Sequence, residues 1–252
     1  MDLKVGLIAA AAVFYASAIG AQQAAPLAGY VGAAGVIDAA RYLPQPPAPG
    51  SLAERADREA LAAARTRNDP VTWKNALAER DLRSAETRAR MMCAINTKLT
   101  LEAAPGFFRL LARSGADLSA ASDQSKLVWK RPRPFVADTS ITTCYPAEII
   151  RKGIGDSYPS GHSGIGWLWG MILAEIAPDR AAEALAWGVS VGDNRIACQV
   201  HFPSDIMAGR MLGSAVFARI AATPDFRADI DAAKAEVAAA RARGERATDC
   251  GG

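Results

Sequence analysis

The sequence predicts an all-α, single-domain helical bundle. Half of its residues are apolar, enough to bury a substantial core in a chain of 252 residues. Alanine, the strongest helix former, recurs throughout, and Val, Ile and Thr are not grouped into the alternating runs that strands need. There is no internal repeat and no sign of a second domain. The net charge of +3 suits anionic small molecules and is far too weak to argue for nucleic acid.

Residues 1–21 read as a signal peptide, with Lys4 as the positive start, 5–18 as the apolar stretch and Ala18, Gly20 and Ala21 at the cleavage site. That stretch is shorter than the roughly 18 residues a membrane span needs; an uncleaved anchor is the rival reading. The most apolar later stretch, 164–177, is interrupted by Glu175, so no stable membrane insertion is expected and the mature chain is placed in the periplasm. Residues 22–50 form a Pro/Ala-rich N-terminal arm whose closing run, from Leu43-Pro44 to Pro49-Gly50, excludes a helix.

The folded domain occupies 51–252. Ser51 caps a helix over 51–67, and Glu54 completes a capping box. Pro70 opens a second helix reaching about 81. A third, over 84–99, carries Met91, Met92, Ala94 and Ile95 inward, and 101–130 should hold two more, divided at Ser114-Gly115. The segment 161–177 is apolar nearly all round, as expected of a central helix. Helices over 180–191 and 203–222 follow, the latter with Ala208, Gly209, Gly213, Ser214 and Ala215 for close packing. The last, 226–246, reads as a solvated outer helix.

Cys93, Cys144, Cys198 and Cys250 form an even set, which suits an oxidising compartment and up to two disulfides. Their spacing is not that of a zinc site, and three pairings remain open.

Only two histidines occur, and each sits in a polar cluster. Histidine exchanges protons near neutrality, while lysine and arginine hold oxyanions. In the first cluster Lys126 and Arg133 lie seven apart; Pro132 and Pro134 end the helix and present Arg133 from a rigid segment. Taken alone, this serves equally as a basic helix end. In the second, Ser160-Gly161-His162 opens the apolar helix. Gly161 lets backbone N–H groups approach an anion, and Ser160 can both cap the helix and donate its hydroxyl. The bland alternative is an ordinary capped turn. In the third, His201 and Asp205 are four apart, so the carboxylate can orient one ring nitrogen and leave the other as a nucleophile. Arg195 adds a guanidinium; a purely structural His–Asp cap leaves that arginine unexplained. Together the clusters make a phosphoryl-transfer set that requires neither metal nor cofactor.

The pattern Lys126…Arg133-Pro134, Pro159-Ser160-Gly161-His162 and Arg195…His201…Asp205 resembles the type 2 phosphatidic acid phosphatase and vanadium haloperoxidase superfamily. Gln124 excludes the alternative register on Arg131-Pro132. Within it the chain is similar to the bacterial class A non-specific acid phosphatases, through Ser157-Tyr158 before the second motif and Leu173-Ala174-Glu175-Ile176 after it. The resemblance covers about 51–246. Asn194 stands where that family has serine, which implies altered rate or anion affinity rather than inactivity.

The resemblance implies that His201 attacks phosphorus to give a phosphohistidine, oriented by Asp205. His162 protonates the leaving alcohol and then activates water. Lys126, Arg133, Ser160, Gly161 and Arg195 bind the phosphoryl oxygens. It further implies small-molecule phosphate monoesters as substrates, a homodimer, and an acid-side pH optimum, since His201 must be neutral while His162 is protonated. Phosphotransfer to alcohols stays open, because a phosphohistidine can be intercepted by acceptors other than water. The competing readings are a vanadate-dependent haloperoxidase, a membrane lipid phosphatase, disfavoured for want of spans, and a non-catalytic phosphate-binding envelope protein.

Overall fold

Capping residues start the first helices where the sequence places them. The computed structural model describes residues 27–32, 35–66, 69–145, 156–248 and 250; the expected signal peptide and the start of the arm lie outside them. Helix α1 is Leu52–Thr66. Ser51 Oγ accepts from Glu54 N at 3.1 Å, while the Glu54 carboxylate accepts from Gly50 N, one residue earlier than a standard box. Helix α2 is Pro70–Ala78, capped by Asp69, and α3 is Ala85–Ala94, capped by Ser84. As expected, α3 and its end bury Met91, Met92, Ala94 and Ile95.

The expected division at Ser114-Gly115 does not occur, and α4 runs unbroken over Pro105–Trp129. Ser114 Oγ bonds back to Leu111 O, so the hydroxyl is satisfied within the helix. Gly115 is there for close approach: a Cβ on it would stand 3.3 Å from the Trp169 ring. The chain leaves α4 through Lys130 in the left-handed region (φ 45°) and passes a short helix α5, Pro134–Ala137.

Helix α6, Gly161–Ile176, is the predicted central element; it packs on α4 and on the three helices that follow. Helix α7 spans Ala181–Ala197, six residues beyond the expected end, which makes Asn194 and Arg195 helical. Helix α8 is Pro203–Ala221. Its small residues work as anticipated, since a Cβ on Gly213 would lie 2.6 Å from Gly164 O. Helix α9, Pro224–Ala242, is not merely a solvated outer helix: Phe226, Ile230, Ala233, Val237 and Ala240 line a buried face against α4. Charges on the other side masked that spacing.

Two disulfides resolve the pairing, Cys93–Cys250 and Cys144–Cys198. The arm is tied down by Tyr30, whose OH donates to Asp229 at 2.7 Å and whose N donates to Asp117 at 2.7 Å. Further along it, Pro44 O accepts from Tyr158 OH. No helix among the described residues is long and apolar enough to cross a membrane.

Candidate active site

Four chain segments meet at one end of α6. The end of α4 supplies Lys126, and the segment after it supplies Arg131 and Arg133. The start of α6 supplies Gly161 and His162, with Ser160 as cap: its Oγ accepts from Ser163 N at 3.3 Å. The end of α7 brings Arg195, and the turn into α8 brings His201 and Asp205. Backbone bonds lock these segments together: Ser160 N donates to Asp205 O and Ser157 N to Arg131 O, each at 3.0 Å.

His201 is buried, with Nδ1 facing Asp205 Oδ2 at 3.4 Å and Ser157 Oγ at 3.4 Å. Ser157 Oγ donates to the same Oδ2 at 2.6 Å, and Phe202 N donates to it at 2.8 Å. Asp205 thus holds its position through Ser157 and Phe202 N on Oδ2 and through Arg131, whose Nη1 donates to Oδ1 at 2.6 Å, and Nε2 of His201 is the ring nitrogen these contacts leave uncommitted. Burial, then Arg133, Lys126 and Arg195, hold the His201 pKa well below its usual value, which favours the neutral ring. Burial lifts the Asp205 carboxyl, against Arg131, Ser157 and Phe202 N.

His162 is half-buried, Nε2 3.2 Å from Arg80 O. Burial and the Arg195 charge push it down to about 3. Burial and the neighbouring Arg195 and Arg133 charges favour the neutral form of His162, and a bound anion shifts the balance back towards protonation. His162 lines a cavity of about 600 Å³ whose walls include Arg80, Asp81, Leu82, Ile165 and Trp169.

The cations differ in availability. Lys126 has its pKa lowered, chiefly by burial, and its nearest carboxylate is Asp123 at 3.9 Å. Arg133 is engaged by Asp156, Nε to Oδ1 at 2.6 Å and Nη2 to Oδ2 at 3.3 Å. Arg195 is fully buried; Nη1 donates to Tyr145 OH at 2.7 Å, and Nη2 donates to Ala76 O and reaches Glu79 at 3.4 Å. Its Nε has no partner among the described residues, so one N–H remains for an anion. Asn194 is turned to Glu79, donating Nδ2 to Oε2 at 2.8 Å, while the other Glu79 oxygen pairs with Arg90. Asn194 thus acts on the support of Arg195.

Every site residue expected from the sequence converges here, but several partners were missed: Arg131, Asp57, Ser157, Glu79, Tyr145 and Asp156. Asp57 was findable, since it lies four residues before buried Leu61 on the inner face of α1. Nothing local marks Glu79 or Tyr145. Among the described residues no group of three or more His, Cys, Asp or Glu is placed to hold a metal ion.

The sequence pattern described as the PAP2 superfamily matches residues 110–228, which contain all eight expected site residues. The chain is 35% identical over 202 residues to a protein of Zymomonas mobilis named acid phosphatase, covering 79% of this chain and 75% of that one. It is 33% identical over 201 residues to a non-specific acid phosphatase of Salmonella typhimurium, covering 78% of each. A non-specific acid phosphatase of Providencia stuartii is 30% identical over 205 residues, 80% of this chain and 82% of that one.

Proposed function

The chain belongs to the PAP2 superfamily, and from that premise we propose that it is an acid phosphatase that hydrolyses phosphate monoesters through a phosphohistidine on His201. One observation carries the mechanism: a buried, neutral imidazole is oriented on its Nδ1 side and surrounded by the charges of Lys126, Arg133 and Arg195.

In the first step Nε2 of His201 attacks phosphorus in line. The N–P bond forms as the P–O bond to the alcohol breaks, and His162 delivers a proton to the departing oxygen. In the second step His162 takes a proton from water, whose oxygen displaces the histidine and releases phosphate. The three cations and the N–H groups at the start of α6 neutralise charge on the non-bridging oxygens, where most of the transition-state stabilisation arises. The cavity beside His162 receives the leaving group. An alcohol taking the place of water in the second step gives phosphotransfer. The two disulfides fit an oxidising compartment, in keeping with export to the periplasm.

The test is hydrolysis of p-nitrophenyl phosphate across the pH range, with a chelator present and orthovanadate as inhibitor. Chelator-resistant, vanadate-sensitive turnover peaking below neutrality is expected. The His201→Ala variant should lose at least roughly 10³-fold in kcat. Near-normal turnover in that variant would sink the assignment of the nucleophile, and vanadate binding without turnover in the parent protein would identify an anion-binding protein.

A further inference from the structure

Ser122 lies on α4 one turn before Lys126, buried at 1% exposure. Its Oγ is sealed from solvent and has no hydrogen-bond partner among the described residues. Other buried serines of the same helix behave differently: Ser114 Oγ donates to Leu111 O at 3.1 Å and Ser125 Oγ donates to Ala121 O at 2.7 Å. Folding back onto the helix is thus open to a serine here, and Ser122 does not do it. Leaving a buried hydroxyl unpaired costs about 1–3 kcal/mol, so such a group points to a partner that arrives later.

Its surroundings show which partner. A Cβ built on Gly161 would stand 3.2 Å from Ser122 Oγ and 3.7 Å from Lys126 Nζ. The hydroxyl, the ammonium and the opening residue of α6 therefore face one another across the space that glycine leaves. The first N–H groups of a helix have no acceptor within it and favour an anion. Lys126 meanwhile leans on exposed Asp123 at 3.9 Å, too far for a hydrogen bond.

We propose that Ser122 is a further phosphoryl-contacting residue: its hydroxyl accepts from Lys126 Nζ and donates to the phosphoryl oxygen that Lys126 holds. A hydroxyl can do both at once. Movement of the Lys126 ammonium from Asp123 onto the anion uncovers the hydroxyl. The inference rests on the anion site described under the proposed function, though not on the phosphohistidine.

The experiment measures binding of orthovanadate and of inorganic phosphate to the folded protein by calorimetry, with thermal unfolding alongside. Ser122→Ala should weaken both anions by about tenfold, with the melting temperature held or raised, because an unpaired hydroxyl is removed. Unchanged affinity overturns the proposal, and so does weakened affinity that comes with a fall in melting temperature, which assigns the serine to packing. Ser122→Thr keeps the hydroxyl and should bind more tightly than the alanine variant. If the parent protein binds vanadate without turning over substrate, the phosphohistidine reading fails while the Ser122 comparison still decides. If it binds neither anion, both fail.

Discussion

Arg131 and Asp205 form a buried ion pair, Nη1 to Oδ1 at 2.6 Å, and the same guanidinium reaches Asp57 Oδ2 through Nη2 at 2.8 Å. It also donates to Ser204 Oγ at 2.7 Å and lies over the Phe202 ring at 4.2 Å. Arg131 therefore ties α1 to the start of α8 and takes up the Asp205 oxygen that faces away from His201. The carboxylate expected to serve one imidazole is shared between an arginine and a histidine, which fixes its place more firmly than the 3.4 Å contact with the ring could.

Replacing Arg131 by methionine should cost about 3–5 kcal/mol, because it leaves two buried carboxylates without a counter-charge. Thermal unfolding checks the stability. Turnover should fall as well, since Asp205 is then free to leave Nδ1 of His201. Arg131→Lys supplies one point charge where the native contacts need a fork, and should recover only part of each loss.

Asp156 occupies the Arg133 guanidinium on two sides, so an incoming phosphate must compete with it. Asp156→Asn keeps the shape, removes a like charge from the anion site and frees Arg133. We expect vanadate inhibition to tighten by about tenfold, with the gain shrinking as salt is added. An unchanged inhibition constant places Arg133 outside the anion's reach.

The two disulfides should separate in their effects. Each closes a long loop, with sequence separations of 157 for Cys93–Cys250 and 54 for Cys144–Cys198, and chain entropy assigns each about 4–5 kcal/mol of stability. Cys93–Cys250 joins α3 to the tail, so its double serine variant should melt earlier and keep kcat. Cys144–Cys198 holds Tyr145 beside Arg195 and ends three residues before His201. Losing it should therefore lower kcat/KM as well as melting temperature. Activity assays below the new melting temperature distinguish the two.

The helical architecture and the residues at the centre of the site were legible because they follow local rules. Apolar spacing gave α6 its central place, Ser51, Pro70 and Ser84 set helix starts, and the spacing from Arg195 through His201 to Asp205 placed one cluster on a single turn-and-helix unit. What failed was long-range. Gly115 looks like a break until Trp169, far along the chain, fills the space beside it. Ala-rich α9 looks solvated until α4 covers one face. The supporting shell was hidden for the same reason, since Glu79 meets Asn194 across 115 residues and Arg131 meets Asp57 across 74. No window of sequence brings those pairs together.

The pH dependence should come from the substrate as much as from the protein. With His162 held down to about 3 and His201 well below its usual range, both rings of the free protein are neutral over the working range. In the proposed mechanism a neutral His162 has no proton for the departing alcohol, so a dianionic ester would meet the enzyme one proton short. A monoanionic ester carries that proton in, and once its charge is bound His162 becomes the favoured place for it. The parameter kcat/KM reports free enzyme and free substrate, and the second ionisation of phosphate esters lies near pH 6. As pH rises past that value the monoanion is depleted and kcat/KM should fall about tenfold per unit. An ester with a lower second pKa should begin to fall at lower pH. Profiles for two such esters check this, and a descending limb that stays at the same pH for both assigns the proton to a group of the enzyme instead.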